Sequence, residues 1–241
     1  MLRSRRIFDL VVTLVLLLPA LVVGALVAIA VFIDSQGPLL YRSRRIGYGG
    51  RPFWMFKFRT MRHQAGGPAI SSRPDIRFTP FGRFLAIVRL DELPQLWNVM
   101  KGDMRLVGPR PELENFVREQ WASYERILSV PPGLTGPTQL AFADEGSLLA
   151  SAEDREELYR RELLPAKVRL DLQYVESNSL WRDLSLIVRT CFLPIVKTGY
   201  RVAARLGADP QQRAAAVRLA TVAIGVLVLL GLFTAEAGTP A

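Results

Sequence analysis

From Leu10 to Ile33 the chain carries no charged residue, and Asp9 and Asp34 bound the run. As a helix rising 1.5 Å per residue this run is about 36 Å long, enough to cross a hydrocarbon core of about 30 Å. It is longer than the apolar core of a cleaved signal peptide. No small-x-small site closes it, and Arg-rich sequence follows directly. Its flanks are unusual for a span. Arg3, Arg5 and Arg6 precede it, while Arg42, Arg44, Arg45 and Arg51 follow it, so the positive-inside rule draws both ends to the cytoplasm. Pro19 lies within the run, where it removes one N–H and crowds the carbonyl of Val15. Two arrangements satisfy these facts: a helix that enters the bilayer, turns at Pro19 and returns to the same face, and a tilted span with a proline kink. The run alone leaves both open.

The other end also carries membrane signals. Pro194 to Leu206 spaces Lys197, Arg201 and Arg205 four residues apart, with Ile195, Val196, Val202 and Leu206 on other faces. This reads as a basic helix lying on an anionic membrane surface, or as the solvated face of a core helix. Leu219 to Ala235 is again free of charge, and at about 25 Å it is marginal for a span. It suits a short anchor or a helix docked on the first apolar run. The expected organisation is therefore a membrane helix over 1–36, a catalytic domain over 37–193, and a terminal part over 194–241 with the interfacial helix and the apolar segment.

In the polar middle, Leu39-Leu40-Tyr41-Arg42 and Phe53-Trp54-Met55-Phe56-Lys57-Phe58 read as short strands joined by the turn Gly47-Tyr48-Gly49-Gly50. Arg62 to Pro80 is Gly-, Pro- and Ser-rich and reads as a loop. Phe81 to Met100, Glu112 to Leu128 and two stretches between Ser147 and Val188 read as helical. The expected fold class is α+β: a mainly helical membrane-associated domain with a small β-hairpin, an N-terminal re-entrant helix broken at Pro19, and amphipathic interfacial helices.

The net charge of +9 favours anionic partners such as phosphorylated substrates or an acidic leaflet. With one Cys (Cys191) and one His (His63) in the chain, an intrachain disulfide, a zinc cluster and a His-based triad are ruled out or disfavoured. Chemistry falls to carboxylates, Lys and Arg. Asp91 and Glu92 stand side by side in Leu90-Asp91-Glu92-Leu93-Pro94-Gln95-Leu96-Trp97-Asn98, at what reads as the start of an amphipathic helix. There they serve either as ordinary helix-start residues or as a nucleophile and a metal ligand. Arg110 is held between Pro109 and Pro111, which suits a preorganised phosphate clamp. Lys57 and Arg59 alternate with Phe58, point to one face of a strand-like segment, and serve either a solvated face or an anionic cluster.

Several motifs in order resemble the bacterial sugar transferase family, the monotopic polyprenyl-phosphate phosphoglycosyl transferases. They are Ser35-Gln36-Gly37-Pro38 with Tyr41-Arg42 and Arg45-Ile46-Gly47; Lys57-Phe58-Arg59-Thr60-Met61; Gly82-Arg83-Phe84-Leu85; the Asp91-Glu92 run; Val107-Gly108-Pro109-Arg110-Pro111-Glu112; and Pro132-Gly133-Leu134-Thr135-Gly136. The resemblance covers roughly residues 5 to 195. It implies transfer of sugar-1-phosphate from a UDP-sugar to undecaprenyl phosphate with release of UMP, the first membrane step of a bacterial surface glycan. In the family the Asp of the pair attacks the β-phosphorus and carries a covalent phosphosugar. By position Asp91 is that nucleophile, and Glu92, with Asp91, holds Mg²⁺. Lys57, Arg59, Arg89, Gln95, Asn98, Arg110 and Gln139 are the expected substrate and phosphate contacts, and the family's membrane helix is re-entrant at the residue matching Pro19. Implied too are the cytoplasmic face of the bacterial inner membrane, contact with membrane lipids, compatibility with a homodimer, and no nucleic acid. Leu18 stands where the family usually carries Ser before that proline, and Ala86-Ile87-Val88-Arg89 departs from the usual stretch before the pair, with Arg89 a partial substitute.

Two other classes compete: a non-enzymatic membrane scaffold or nucleic-acid binder, allowed by the charge, and a metal-dependent phosphohydrolase acting on a nucleotide-sugar. The transferred sugar is not legible from spacing, and Arg62–Pro80 and Phe142–Leu149 are the expected places of sugar selection.

Overall fold

A computed structural model describes residues 2–67, 75–152, 154–177 and 179–205. The segment Leu219–Ala235, and the part of the Arg62–Pro80 loop from 68 to 74, lie outside the described residues. Helix α1 runs from Leu2 to Asp34. Pro19 lies inside it, so the proline expected to break the helix does not end it. The ring deletes one donor while the turns on both sides keep their ladders.

Strands β1 (Leu40–Ile46) and β2 (Pro52–Phe58) pair antiparallel, Leu40 opposite Phe58 and Ile46 opposite Pro52. Both the hairpin and its turn agree with the expectation, and β1 extends four residues beyond the expected Arg42. Gly49 and Gly50 hold φ of 63° and 76° in the turn, a region that costs an L side chain about 1–2 kcal/mol.

Helix α2 (Pro80–Val88) begins with Thr79, whose hydroxyl accepts from the Gly82 N–H, and with Pro80 in its first turn. A continuous helix from Phe81 to Met100 was expected. Instead α2 ends at Arg89, which sits in the left-handed region (φ 60°, ψ 21°). One 3₁₀ turn over Leu90–Glu92 follows, then α3 (Gln95–Lys101). Strand β3 (Arg105–Val107) leads to α4 (Glu114–Glu119) and α5 (Trp121–Ile127), two helices where one was expected, separated by the non-helical Gln120. Strand β4 (Gly133–Thr135) pairs parallel to β3, Arg105 opposite Gly133 and Val107 opposite Thr135. Short helices α6 (Pro137–Ala141), α7 (Glu145–Leu148) and α8 (Arg155–Leu158), a π-helical turn over Tyr159–Leu163, and the longer α9 (Leu164–Glu176) and α10 (Leu180–Arg205) complete the described chain. Among the described residues the fold is mostly helical with two small sheets.

The chain divides into two compact units, Met1–Leu186 and a second beginning at Ile187. One core of the first unit gathers Phe116, Val117, Tyr124, Ile127 and Leu128 with Tyr159, Leu163, Leu164 and Val168. A second packs Val27 and Val31 of α1 on Phe58 and Leu85. At the other end of α1, Arg105 Nε bonds Asp9 at 2.8 Å, Arg105 Nη2 lies 3.5 Å from Asp183, and Arg5 lies 3.6 Å from the same carboxylate. All four are buried. Removing one member of such a network costs about 3–5 kcal/mol, because a charge is left buried without its partner. Between these anchored ends the helix is exposed: Leu14, Leu18, Leu21 and Leu26 each present more than 60% of their surface.

Candidate active site

A cavity of about 270 Å³ collects five cations (Arg45, Lys57, Arg89, Arg110, Lys167) and four carboxylates (Asp91, Glu92, Glu112, Glu145) from across the chain. The break between α2 and α3 builds its centre. Gly82 lets α2 approach the preceding segment so closely that a Cβ there would stand 2.0 Å from the Thr60 carbonyl oxygen. The left-handed Arg89 then reverses the chain, and the 3₁₀ turn carries Asp91 and Glu92 to the cavity wall. The pair therefore does not open a regular helix, as the sequence suggested. It sits on a tight turn held by flanking helices.

The two carboxylates are in opposite electrostatic states. Burial, then the charge of Glu92, pushes the Asp91 carboxyl up to about 6, against the opposing pull of Lys57, Arg89 and Arg110. Burial also disfavours charge on Glu92, but Arg110 and Arg89 outweigh it and hold that carboxyl below its ordinary value. Arg110 Nη2 lies 3.2 Å from Glu92 Oε1, and Arg89 Nη1 lies 3.4 Å from Oε2. Arg89 also donates to the Gln139 backbone carbonyl at 3.3 Å.

Arg110 is placed by a backbone knot. A Cβ on Gly133 would meet the Gly108 nitrogen at 2.0 Å, and one on Gly136 would meet the Gly108 carbonyl oxygen at 2.2 Å. The Gly108-Pro109-Arg110-Pro111 segment is thus pressed against β4 and the start of α6. Behind it, the buried Asp171 of α9 accepts from the Arg110 backbone N–H and from the Thr138 hydroxyl. Burial pushes the Asp171 carboxyl up to about 7 against those bonds.

Lys57 comes from β2 and is half-buried. Among the described residues it is the cavity cation outside any ion pair: Arg45 pairs with Glu112, Arg89 and Arg110 with Glu92, and Lys167 with Glu145. Its ammonium stands 5.4 Å from the Tyr41 ring centre. Burial lowers its pKa, an effect opposed by Asp91. Gln139 also lines the cavity, its Nε2 spent on the Gly133 carbonyl at 3.1 Å.

The structure brings Lys57, Arg89, Asp91, Glu92, Arg110 and Gln139 together and leaves Arg59, Gln95 and Asn98 outside the cavity lining. The Arg59 guanidinium donates to the carbonyls of Ser35 and Gln36, closing the exit of α1. Asn98 joins α3 to β2: its Oδ1 accepts from the Phe56 N–H at 3.1 Å, and its Nδ2 donates to the Trp54 carbonyl at 2.7 Å. Gln95 is buried on the same helix, and its Nε2 has no hydrogen-bond partner among the described residues. The sequence placed Arg45 and Glu112 in motifs and Glu145 in a stretch expected to select the sugar, but not the chain of polar groups that joins them to Tyr159 and Lys167 on the cavity wall. Arg45 pairs with Glu112 at 3.0 Å, Tyr159 donates to Glu112, and Lys167 Nζ donates to Tyr159 Oη at 3.2 Å and to Glu145 Oε2 at 2.7 Å. These residues lie far apart in sequence. For Lys167 the local signal was a lysine at a core-facing position of α9.

Among the described residues, no group of three or more His, Cys, Asp or Glu side chains is placed to cage a metal. Asp91 and Glu92 are adjacent hard oxygen donors on the cavity wall.

Residues 2–197 match the family model described as bacterial sugar transferase. Over 170 residues the chain is 38% identical to a UDP-glucose:undecaprenyl-phosphate glucose-1-phosphate transferase of Caulobacter vibrioides, covering 68% of this chain and 60% of that one. An undecaprenyl-phosphate glucose phosphotransferase of Komagataeibacter xylinus is 37% identical, over 78% of this chain and 35% of its own length. A UDP-N-acetylgalactosamine-undecaprenyl-phosphate N-acetylgalactosaminephosphotransferase of Aeromonas hydrophila is 32% identical, over 72% of this chain and 38% of its own length. The matched part of the chain thus spans between about a third and three-fifths of these relatives.

Proposed function

Since the chain belongs to the bacterial sugar transferase family, we propose that it transfers sugar-1-phosphate from a UDP-sugar to undecaprenyl phosphate at the cytoplasmic face of the bacterial inner membrane, beginning a surface glycan. The observation that carries this reading is Asp91. It is a buried carboxylate on the wall of a cation-lined cavity, with the ammonium of Lys57 left for an incoming phosphate. In the first half-reaction, an ionised Asp91 oxygen attacks the β-phosphorus. The bond from that phosphorus to the bridging oxygen breaks, and UMP leaves with the electron pair. Asp91 is left carrying the phosphosugar as an acyl phosphate. In the second, a phosphate oxygen of the lipid attacks the same phosphorus and restores the carboxylate. Lys57 and Arg110 offset negative charge on the phosphoryl oxygens, and in a partly enclosed cavity such contacts count for more than in bulk water. Arg89, in its constrained backbone, holds Glu92 ionised.

The donor set suits Mg²⁺. This ion is usually bound by one or two carboxylates and completes its octahedron with waters and substrate phosphates rather than an all-protein cage. Glu92 and Asp91 would hold it, and it would supply charge neutralisation on the diphosphate. Because Glu92 is already paired with two guanidinium groups, it can exchange partners as substrate enters.

The membrane arrangement follows from α1. Its two ends are bonded to the same unit, through Arg5 and Asp9 at one end and Val27 and Val31 at the other, while the apolar middle is exposed. This supports a re-entrant helix bent about Pro19, its middle sunk in the leaflet and the cavity near the headgroups.

The test uses purified protein, radiolabelled UDP-sugars and undecaprenyl phosphate. Label is expected to remain on the wild-type protein in the absence of lipid and to be absent from Asp91→Asn, with turnover reduced at least 10³-fold. Full turnover by Asp91→Asn would overturn the nucleophile, and steady UMP release into water without lipid would make the protein a hydrolase.

A further inference from the structure

Lys167, Glu145 and Tyr159 take no part in the phosphate chemistry above, yet all three line the cavity. Lys167 is 5% exposed and is held by Glu145 Oε2 at 2.7 Å and Tyr159 Oη at 3.2 Å. An ammonium has three donors, so one N–H remains outside these two hydrogen bonds, with the Tyr159 ring centre 4.4 Å from the nitrogen. Glu145 spends Oε2 on Lys167 and leaves Oε1 without a hydrogen bond among the described residues. Tyr159 is fully committed, donating to Glu112 and accepting from Lys167. The Phe142 ring, half-buried, lies beside this pair, 5.7 Å from the ammonium. An unused charged donor and an unused charged acceptor, fixed side by side next to an aromatic face, form a hydroxyl-binding corner. A vicinal diol can give one hydrogen bond and take one, while its C–H face packs on the ring.

We propose that Glu145 and Lys167, with Phe142, form a specificity subsite that reads a pair of adjacent hydroxyls on the nucleotide-sugar. The inference rests on the transferase reading for the identity of that ligand. A cavity of about 270 Å³ lies just below the usual range for small-molecule sites, about 300–1,000 Å³, so it encloses part of a UDP-sugar. Hydroxyl pairs come from two sources, the hexose and the ribose, and the experiment separates them.

The variant is Glu145→Gln. It preserves shape and the bond to Lys167 but turns the free acceptor into a donor. Glu145 lies on a short, partly exposed helix, which favours retention of the fold. Kd and kcat/KM are measured for UDP-glucose against its C4 epimer UDP-galactose, and for UDP-glucose against its 2′-deoxyribose analogue. The substitution is expected to change the ratio within one of these pairs by about tenfold or more, the size of a lost hydrogen bond to a charged group. A change in the first pair assigns the corner to the hexose, and a change in the second to the ribose. If every value falls by one common factor, the pair is only structural and the proposal is overturned. The two readings fail differently. A wild-type protein that binds these compounds but releases no UMP would sink the transferase reading, and the Kd ratios would still decide the subsite. Failure to bind any of them would sink both.

Discussion

As the nucleophile we propose, Asp91 could attack only when ionised, so its raised pKa would set the acid side of that reaction. The rate of label transfer to the protein in a single turnover is expected to fall as pH drops through about 6 and to level off above it. The sign for Lys57 follows from charge: its ammonium favours the carboxylate, so Lys57→Met should move the midpoint to higher pH as well as lower the plateau. A midpoint that stays in place or moves down in that variant would show that the two groups do not face one another. The residues of this exchange were legible beforehand because they sit inside short rigid motifs whose residue types have few other uses, such as an arginine between two prolines. Arg59, Gln95 and Asn98 belong to the same motifs but work inward, on the carbonyls of Ser35 and Gln36 and on the backbone of β2 in the cases of Arg59 and Asn98. A polar side chain beside a catalytic group reads the same in sequence whether it faces the cavity or the framework. Glu112 stood in a quoted motif and Glu145 in a stretch expected to select the sugar, but the joining of both to Tyr159 and Lys167 was invisible for the opposite reason. Each lies on a separate element, and only the fold joins them.

Among the elements, the reversal at Arg89 carries the most consequence. Left-handed backbone at a helix end is usually given to glycine, and an L side chain there costs about 1–2 kcal/mol. The strain persists because the guanidinium is bound to Glu92 and to the Gln139 carbonyl. Arg89→Gly is therefore expected to melt at the same temperature as the wild type or higher, while UMP release falls at least tenfold. A marked loss of thermal stability would mean that the two bonds outweigh the strain. Hydrophobic periodicity found the helices on either side but not the reversal, since it registers which face is apolar and not where the path turns. The hairpin of β1 and β2 was legible through its alternating residues and glycine turn. The parallel pair of β3 and β4 was not, because three residues are too few for a pattern and the partners, Arg105 with Gly133 and Val107 with Thr135, stand far apart along the chain.

For the molecule as a whole, α1 decides topology. Cysteine reporters at Met1 and at Asp34 are expected to react with an impermeant reagent from the cytoplasmic side only. Labelling of either from the periplasm would leave a kinked span in place of the re-entrant helix. Charge, too, is unevenly placed. The chain carries a net +9, whereas the five cations of the cavity face four carboxylates and are mostly paired with them. An anion is thus attracted to the protein at large but meets no large surplus inside. Inside, Lys57 is the cavity cation outside any ion pair among the described residues, and any contact beyond it must be taken from a carboxylate, as Arg110 and Arg89 from Glu92. Capture and admission are separate events: the first runs on long-range attraction and fades with ionic strength, while the second is a short-range exchange that salt barely screens. Small free anions can crowd the surface and still be refused by the cavity, because only a ligand with further contacts to offer compensates the carboxylate it displaces.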